Sequence, residues 1–259
     1  MKTFKKNFSL ILKNITSKLL IKKVVFPQNV AFVYFSPKEK NIKKVVHDLV
    51  DGYQRIFQFF GFGIPSLRLV LLYTRKEIDE LRQEKTPSWL VGQADKNTIC
   101  LFSPSVFEKV SPHRRSEFKK VLLHEMTHLF IRRIHSSFEP RWLEEGLAYF
   151  VAGQRGKKQF NSHFFLNKEL PFLLDSEKRW QKALPYGAYT ISFLLVKFLI
   201  KRFGKEKIIK FLSSLRGKYN RKKLCQNFEQ IYGQKITEEV KEFLNQYTLE
   251  RKRKEVKKE

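Results

Sequence analysis

The sequence has little cysteine, and this shortage argues against two classes of protein. Cys100 and Cys225 are the only cysteines in 259 residues, and they do not form a Cys-x-x-Cys pair. Two distant cysteines supply neither a disulfide framework nor the ligands of a cysteine-based structural zinc site. The composition is compatible with a reducing compartment, and we expect a cytoplasmic protein.

Long uncharged runs are also missing. A membrane-spanning helix needs about 18 to 20 apolar residues, whereas stretches such as Phe26–Pro37 are much shorter. The chain starts with lysines, as a signal peptide does, but Lys13 and Lys18 interrupt the apolar segment that should follow. The sequence therefore predicts neither a transmembrane helix nor a secretory signal peptide.

Acidic residues are scarce relative to basic ones. Lysine and arginine together number 52, against 25 aspartates and glutamates, which gives a formal net charge of +27. Such an excess is typical of a protein with an anionic partner. The basic residues are spread along the whole chain, however, and no nucleic-acid-binding motif accompanies them. We therefore expect a lysine-rich solvated surface rather than nucleic-acid binding.

The N-terminal segment, residues 1–25, has the most one-sided charge. Residues 1–38 contain eight lysines and no acidic residue. Apolar residues recur from Phe4 and Phe8 to Leu19 at helical spacing, which predicts a basic amphipathic helix. Two interpretations stay open. The helix is either an anchor on an anionic membrane surface, which would make the protein peripheral at the membrane, or a helix that packs on the domain.

The remaining chain predicts an α+β fold in a single domain, residues 26–250, followed by a charged tail, residues 251–259. Over residues 26–110, short apolar runs alternate with helical patterns in the order β-α-β-α-β-β, which predicts an α/β layer with a small mixed sheet. Over residues 111–250 the apolar residues have mostly helical spacing. We therefore expect an N-terminal α/β layer and a helical C-terminal half.

The motif His124-Glu125-x-x-His128 lies in the first helix of that C-terminal half. Two histidines four residues apart on a helix are rotated by about 40° from each other, so both imidazoles face one point. One Zn²⁺ can take a nitrogen from each histidine. Glu125 lies beside the first histidine, where it can accept a proton from water at the metal. The competing interpretation is a helix with two incidental histidines.

A catalytic zinc usually has three protein ligands and one open position, so a third ligand must come from elsewhere in the chain. The best candidate is Glu145, in the segment Trp-Leu-Glu-Glu-Gly that ends at Gly146. Small residues here, Gly146 and Ala148, would let this helix pack closely on the first. Its neighbour Glu144 points about 100° away and is either exposed or hydrogen-bonded to a ligand histidine. The competing interpretation makes both glutamates surface charges.

The motif His-Glu-x-x-His, followed by Trp-Leu-x-Glu-Gly-x-Ala, resembles the gluzincin zinc metallopeptidases, the thermolysin-like clan that includes small peptidase-MA-like domains. The resemblance covers roughly residues 85–210. It implies a zincin-like fold and one Zn²⁺ per chain, bound by His124, His128 and Glu145. It also implies that Glu125 is the general base and that the substrate is a peptide or protein.

The resemblance further implies an oxyanion donor and a strand that pairs with substrate. In these families a tyrosine hydroxyl at the start of a long apolar helix stabilises the oxyanion, and here the implied residue is Tyr186, with Tyr189 as the alternative. The strand before the active-site helix is an edge strand in these families and pairs with extended peptide. Its counterpart is Thr98–Phe102, and the implied substrate-binding residues are Thr98, Ile99, Cys100 and Leu101.

The sequence departs from the aminopeptidases of the clan in two ways. The interval from His128 to Glu145 is shorter, which predicts a tight loop over residues 134–140. The Gly-x-Met-Glu-Asn motif, whose glutamate holds a substrate N-terminus in the aminopeptidases, is absent. The sequence therefore favours an endopeptidase. The alternatives are a catalytically silent module of the same fold and a basic protein that binds membrane surfaces or nucleic acid.

Overall fold

A computed structural model provides the structure of the protein. It describes residues 2–26, 29–135, 137, 139–154, 160–161, 164–165 and 169–256, with the backbone alone for residues 2–7 and 250–256. Contacts divide the chain into two compact units, Met1–Phe130 and Ile131–Glu259. The division falls inside one continuous helix, Phe118–Ile134. The predicted bounds of the domain, residues 26–250, stay a prediction.

A five-stranded mixed sheet forms the centre of the first unit. Its strands are β1 (Leu20–Phe26), β2 (Asn29–Phe35), β3 (Ser66–Leu72), β4 (Gly92–Asp95) and β5 (Thr98–Phe102). They lie in the order β1-β2-β3-β5-β4. The three central strands are parallel, and β1 and β4 each pair antiparallel with their neighbours. The edges of the sheet are therefore β1 and β4.

The described helices of the first unit cover both faces of this sheet. They are α1 (Lys2–Thr16), α2 (Ile42–Phe60), α3 (Arg75–Arg82), α4 (Phe107–Val110) and the first part of α5 (Phe118–Ile134). One face packs on α2, where Phe26 stacks on Tyr53 with ring centroids 4.4 Å apart. On the other face, the Arg75 guanidinium of α3 lies 5.3 Å from the ring centroid of Phe102. Helix α1 packs on α3.

Strand β1 was not anticipated within the N-terminal segment. In the structure, the N-terminal helix ends at Thr16, earlier than the helical spacing to Leu19 predicts, and β1 begins at Leu20. Only Val24 and Phe26 are buried in this strand, because it lies at an edge of the sheet. Lys22 and Lys23 interrupt its apolar residues, so the period of two that marks a strand is hidden in the sequence.

Helices make up nearly all the regular structure described in the second unit. After the end of α5 these are α6 (Arg141–Ala152), α7 (Glu177–Ala183), α8 (Ala188–Phe203), α9 (Lys205–Ser214), α10 (Arg221–Tyr232) and α11 (Ile236–Val256). Glycines in the left-handed region end two of them, Gly153 after α6 and Gly233 after α10. Large aromatic side chains are fully buried in this unit, including Trp142, Trp180, Phe211 and Phe228.

The predicted α+β class is confirmed: a small mixed sheet is followed by a helical C-terminal half. In the charged tail, α11 continues to Val256, and residues 257–259 lie outside the described residues. Across the parts of the chain that the structure describes, no single helix has the length and apolarity needed to cross a membrane. One bent pair, Glu177–Tyr186 and Ala188–Phe203, passes on length and composition alone, with 100° between its halves.

Candidate active site

The two histidines of α5 are buried and face each other. His124 is 9% exposed and His128 is 5% exposed, because the surrounding residues of the helix are apolar. Their Nε2 atoms lie 3.0 Å apart. Each neutral imidazole has one ring nitrogen with a lone pair, and two lone pairs at this distance need a proton or a metal cation between them. This is the arrangement expected from histidines four residues apart on one helix.

Glu125 lies between these histidines in sequence and against strand β4 in space. Its side chain is only partly buried. A Cβ atom at Gly92 would lie 3.4 Å from Glu125 Cγ and 2.9 Å from Leu101 Cδ1. The absence of a side chain at Gly92 therefore lets the strand backbone approach the carboxylate closely. Burial raises the pKa of the nearby Cys100 thiol to about 12, so this cysteine is an unreactive core residue.

Helix α6 has two adjacent buried glutamates held by arginines. Glu144 accepts hydrogen bonds from Arg132 Nε at 3.3 Å and from Arg141 Nη1 at 3.2 Å. Arg141 Nη2 lies 2.8 Å from Glu145 Oε1, and Arg141 Nε lies 3.3 Å from Glu177 Oε2. Glu144 and Glu145 are 3% and 4% exposed. Arg141 therefore bridges three carboxylates, two of which are buried.

These carboxylates stabilise the charged form of the Arg141 guanidinium. Burial alone would lower the pKa of its guanidinium, but Glu145, Glu144 and Glu177 raise it further than burial lowers it. In return, the guanidinium offsets the repulsion between two ionised glutamates on one helical turn. The ion pair with Arg141 thus holds the side chain of Glu145 at one defined position of α6.

Gly146 sets how closely α6 packs on α8. A Cβ atom at this position would lie 2.5 Å from the Ser192 carbonyl oxygen and 2.6 Å from Val196 Cγ2. Real Cβ atoms do not approach so closely, so the helices reach this spacing only because residue 146 is glycine. Gly146 therefore sets how close the neighbouring Glu145 lies to α8.

His124, His128 and Glu145 form a group that could hold a metal ion. One ligand atom from each lies within 4.8 Å of the others, and all three residues are buried. The set matches the chemistry of a zinc site with two imidazoles and one carboxylate. Two nitrogens bound to one tetrahedral zinc at about 2.1 Å would be about 3.4 Å apart, which is near the 3.0 Å between the histidines. The residues present therefore fit a zinc ion.

The two candidate tyrosines have different surroundings. Tyr186 is 38% exposed and stacks on Phe164, with ring centroids 3.8 Å apart. Tyr189 is half-buried at the start of α8 and stacks on Tyr149 of α6, at 5.2 Å. It also interacts electrostatically with Arg141. Tyr189 therefore lies against the helix that carries Glu145, whereas the ring of Tyr186 packs on Phe164.

The predicted substrate-pairing strand is not at an edge of the sheet. β5, which contains Thr98, Ile99, Cys100 and Leu101, lies between β3 and β4 and is buried along its whole length. Its backbone is hydrogen-bonded to a strand on each side, so it cannot also pair with a peptide. The edge on this side of the sheet is β4. The expectation was wrong because sheet order depends on long-range pairing that a hairpin pattern does not specify.

Sequence reasoning missed two residues of the site. Arg141 lies three and four residues before Glu144 and Glu145, and this helical spacing is the signal that could have identified it. Gly92 has no such local signal, because its role depends on the pairing of β4 with β5 and on the position of α5. The predicted tight loop over residues 134–140 lies partly outside the described residues.

The comparisons with known proteins agree with this geometry. A family model described as the Peptidase MA superfamily matches residues 87–244, more than half of the chain. The chain belongs to the Peptidase MA superfamily. The match covers β4, β5, α5, α6, α7 and α8, and includes every residue of the site described above. The recognition of a peptidase-MA-like chain from its two motifs is confirmed.

A solved structure shows the same fold at low sequence identity. A point mutant of the M1 zinc metallopeptidase from Deinococcus radiodurans matches with a TM-score of 0.52 and 13% identity, over 87% of this chain and 52% of its own. The unmutated enzyme matches with a TM-score of 0.49 and 14% identity, over 88% and 51%. This superfamily member thus spans about half the length of those structures. No curated protein matches this chain.

Proposed function

We propose that this Peptidase MA protein hydrolyses peptide bonds with one Zn²⁺ held by His124, His128 and Glu145. The observation that carries the proposal is the buried group of two imidazoles and one carboxylate, with Glu125 on the same helical turn as the histidines. A zinc ion bound there supplies Lewis acidity, which acidifies water and polarises a carbonyl group. The M1 zinc metallopeptidase with the same fold is consistent with this chemistry.

Glu125 is the proposed general base. It accepts a proton from the attacking water and transfers that proton to the leaving amine. Its support is its place between the two histidines and its partly exposed side chain. Histidine and carboxylate groups that are fully buried are suited to hold a metal, whereas a proton-transfer group must also reach the substrate.

Tyr189 is the proposed oxyanion donor, in preference to Tyr186. Its ring stacks on Tyr149 of α6, and its hydroxyl group interacts electrostatically with Arg141, which contacts Glu145. A phenol hydroxyl near the metal ligands can donate to the negative charge that develops on the carbonyl oxygen. Tyr186 stays the alternative from the sequence.

Strand β4, Gly92–Asp95, is the proposed site for the substrate backbone. It lies at an edge of the sheet, and a Cβ atom added at its Gly92 would lie 3.4 Å from Glu125 Cγ. An extended peptide can therefore pair with β4 as an additional strand, with its scissile bond near Glu125. We further infer an endopeptidase, because the Gly-x-Met-Glu-Asn motif that binds a free N-terminus is absent.

The decisive experiment compares the wild-type protein with Glu125→Gln at equal zinc content. Both would be assayed on a library of internally quenched peptides, with Glu80→Gln on α3 as a matched control for the loss of one carboxylate. We expect the wild type and the control to cleave and Glu125→Gln to lose about 10²- to 10⁴-fold in rate. Equal rates for all three proteins, or no cleavage by the zinc-loaded wild type, would contradict the proposal.

A second comparison tests the endopeptidase inference. The preferred peptide would be assayed with a free and with an acetylated N-terminus. We expect similar rates and cleavage at an internal bond. Cleavage that requires the free N-terminus and removes one residue at a time would instead identify an aminopeptidase.

A further inference from the structure

The outer face of strands β1 and β2 carries an apolar surface that the peptidase function does not use. We call it the β1–β2 patch, and it consists of Ile21, Lys23, Val25, Val30, Phe32 and Tyr34. All six residues lie in the first unit. Their neighbours in the same strands, such as Val24 and Phe26, are buried on the opposite face. The alternation of a strand therefore directs these six side chains outward.

The register of the sheet makes this patch contiguous. Ile21 pairs with Tyr34, Lys23 with Phe32, and Val25 with Val30. Side chains of directly opposed residues lie on the same face, with Cβ atoms about 5 Å apart. Phe32 is in register with Arg68 on its other side, so one row across the sheet reads lysine, phenylalanine, arginine. The patch is thus an apolar area with cations in its middle row.

The patch is exposed where the rest of this face is covered. Val25 is 73% exposed and Ile21 is 59% exposed, and they are two of the few large apolar side chains of the described residues that are more than one-third exposed. The three β2 residues of the patch are half-buried. Further along the same face, Val70 and Phe102 are buried, and Arg75 of α3 lies over Phe102. The exposed apolar area is therefore confined to the edge of the sheet.

The stretch of chain that forms β1 and β2 has charged side chains of one sign only. No acidic residue occurs before Glu39, and Lys18 and Lys22 are exposed next to the patch in sequence. The row that contains Lys23 and Arg68 ends in Asp95, on the opposite edge of the sheet. Four strand spacings separate Lys23 from Asp95, about 19 Å, which exceeds the screening length of about 8 Å at physiological ionic strength. Within its own row of the sheet, Lys23 therefore has no carboxylate partner inside that length, and the acidic residues of this face lie on α3, over β5 rather than over β1.

We propose that the β1–β2 patch binds an anionic phospholipid surface. Exposed apolar side chains beside lysines are the combination that such a surface accepts, since the apolar groups enter the acyl boundary and the cations contact the headgroups. The partner is thus the one that the N-terminal segment predicted. The residues that carry it lie in β1 and β2, beyond the predicted helix, and the proposal does not depend on the peptidase function.

Two other occupants fit the patch less well. A second copy of the chain could add to the open edge of β1, but lysines on an edge strand disfavour such pairing, and Lys22 and Lys23 would face another positively charged strand. A single-stranded nucleic acid would stack its bases on exposed aromatic rings. Here the most exposed side chains, Ile21 and Val25, are aliphatic and have no π-face.

The proposal can be tested by flotation of the full-length protein with lipid vesicles. Vesicles of phosphatidylcholine alone would be compared with vesicles that contain 30% phosphatidylglycerol, a fraction of about one-third that gives a strongly negative surface. We expect binding to the anionic vesicles only. Ile21→Ser with Val25→Ser should weaken it about tenfold or more, and Lys18→Gln with Lys23→Gln should weaken it about tenfold.

Matched controls lie in the second unit. Leu249 is a 56% exposed leucine on α11, and Leu249→Ser should bind as the wild type does. Lys201→Gln with Lys241→Gln removes the same charge from exposed positions and should have the smaller effect. Circular dichroism would verify that all variants are folded.

Three outcomes would overturn the proposal. The first is no binding to anionic vesicles by the wild-type protein, and the second is equal binding by the Ile21/Val25 variant. The third is loss, in that variant, of binding to a single-stranded oligonucleotide or of self-association measured by analytical ultracentrifugation, with vesicle binding unchanged. This last result would assign the patch to one of the other occupants.

Discussion

Each unit of the molecule buries a carboxylate cluster: Glu39 with its hydrogen-bond donors in the first unit, and Glu144 and Glu145 with their arginines in the second. The carboxylates of the two clusters have different kinds of partner. In the first unit, Glu39 is 5% exposed and is surrounded by neutral donors. It accepts hydrogen bonds from the backbone and side chain of Asn41 at 2.8 and 2.9 Å, and from Ser105 at 3.1 Å. Ser103 donates to it as well. In the second unit, Glu144 and Glu145 contact arginines.

This difference separates a structural carboxylate from one suited to a functional site. Neutral donors satisfy Glu39 completely and tie the end of β2 to the end of β5. Arginines instead hold two carboxylates ionised on adjacent residues, at a cost in burying charge that only paired geometry offsets. A buried glutamate that could share a metal ion with two histidines suits a functional site, whereas a buried carboxylate among hydroxyl and amide groups suits a structural role.

The largest expected effect is the loss of the bridging arginine. Arg141→Met keeps a long apolar side chain but leaves the buried carboxylates with less compensation. We expect the free energy of unfolding of the zinc-free protein, measured with urea, to fall by about 3 to 5 kcal/mol. Arg82→Met is the control, because Arg82 forms an exposed ion pair with Glu84 and should cost less than about 1 kcal/mol. Equal losses would remove the contrast between the clusters.

The second-largest expected effect is on peptidase activity. It tests whether the α6 cluster lies near the bound substrate. Tyr189→Phe should lower kcat/KM by about 10²- to 10³-fold, while zinc content and unfolding free energy change little. Tyr186→Phe is the matched control and should retain activity. The opposite result, a large loss in Tyr186→Phe alone, would support the assignment favoured by the sequence.

The smallest effect concerns Glu39 and depends on pH. Burial would raise the pKa of this carboxyl group, but hydrogen bonds from Ser103, Asn41 and Ser105 together lower it below its ordinary value. A lowered pKa in the folded state stabilises the fold above the unfolded pKa, and this stability is lost as the pH falls through the folded pKa. Glu39→Gln should therefore reduce the unfolding free energy by about 1 to 2 kcal/mol at pH 7.

That difference between Glu39→Gln and the wild type should shrink as the solution is acidified below the ordinary pKa of glutamate. Thermal unfolding at a series of pH values measures it. A difference that is constant from neutral to acidic pH would mean that the charge of Glu39 contributes nothing, and that the two clusters are more alike than their contacts suggest.

How much could be predicted from the sequence depends on how far apart the interacting residues are. The facing of His124 and His128 follows from one helical period, so the pair could be read from spacing alone. The capping box that starts α3 is equally local, because Thr74 and Glu77 lie three residues apart in the sequence.

Features that depend on sheet order or on contacts between elements could not be predicted from the sequence. β5 was expected at an edge because the strand before the active-site helix is an edge strand in the gluzincin families, but here β3, some thirty residues earlier, pairs with one side of β5 and β4 with the other. β1 was hidden because an edge strand needs only one buried face, and lysines occupy much of the remainder. Gly92 and Gly146 matter through what would collide with a side chain there, and that information exists only in three dimensions.

The contact at Gly146 also bears on motion. Because the backbone of α6 approaches the Ser192 carbonyl group with no side chain between them, neither helix can slide or roll without breaking the contact. Glu145 lies on one of these helices and Tyr189 on the other. Close packing of the two helices therefore couples the positions of Glu145 and Tyr189 within the second unit.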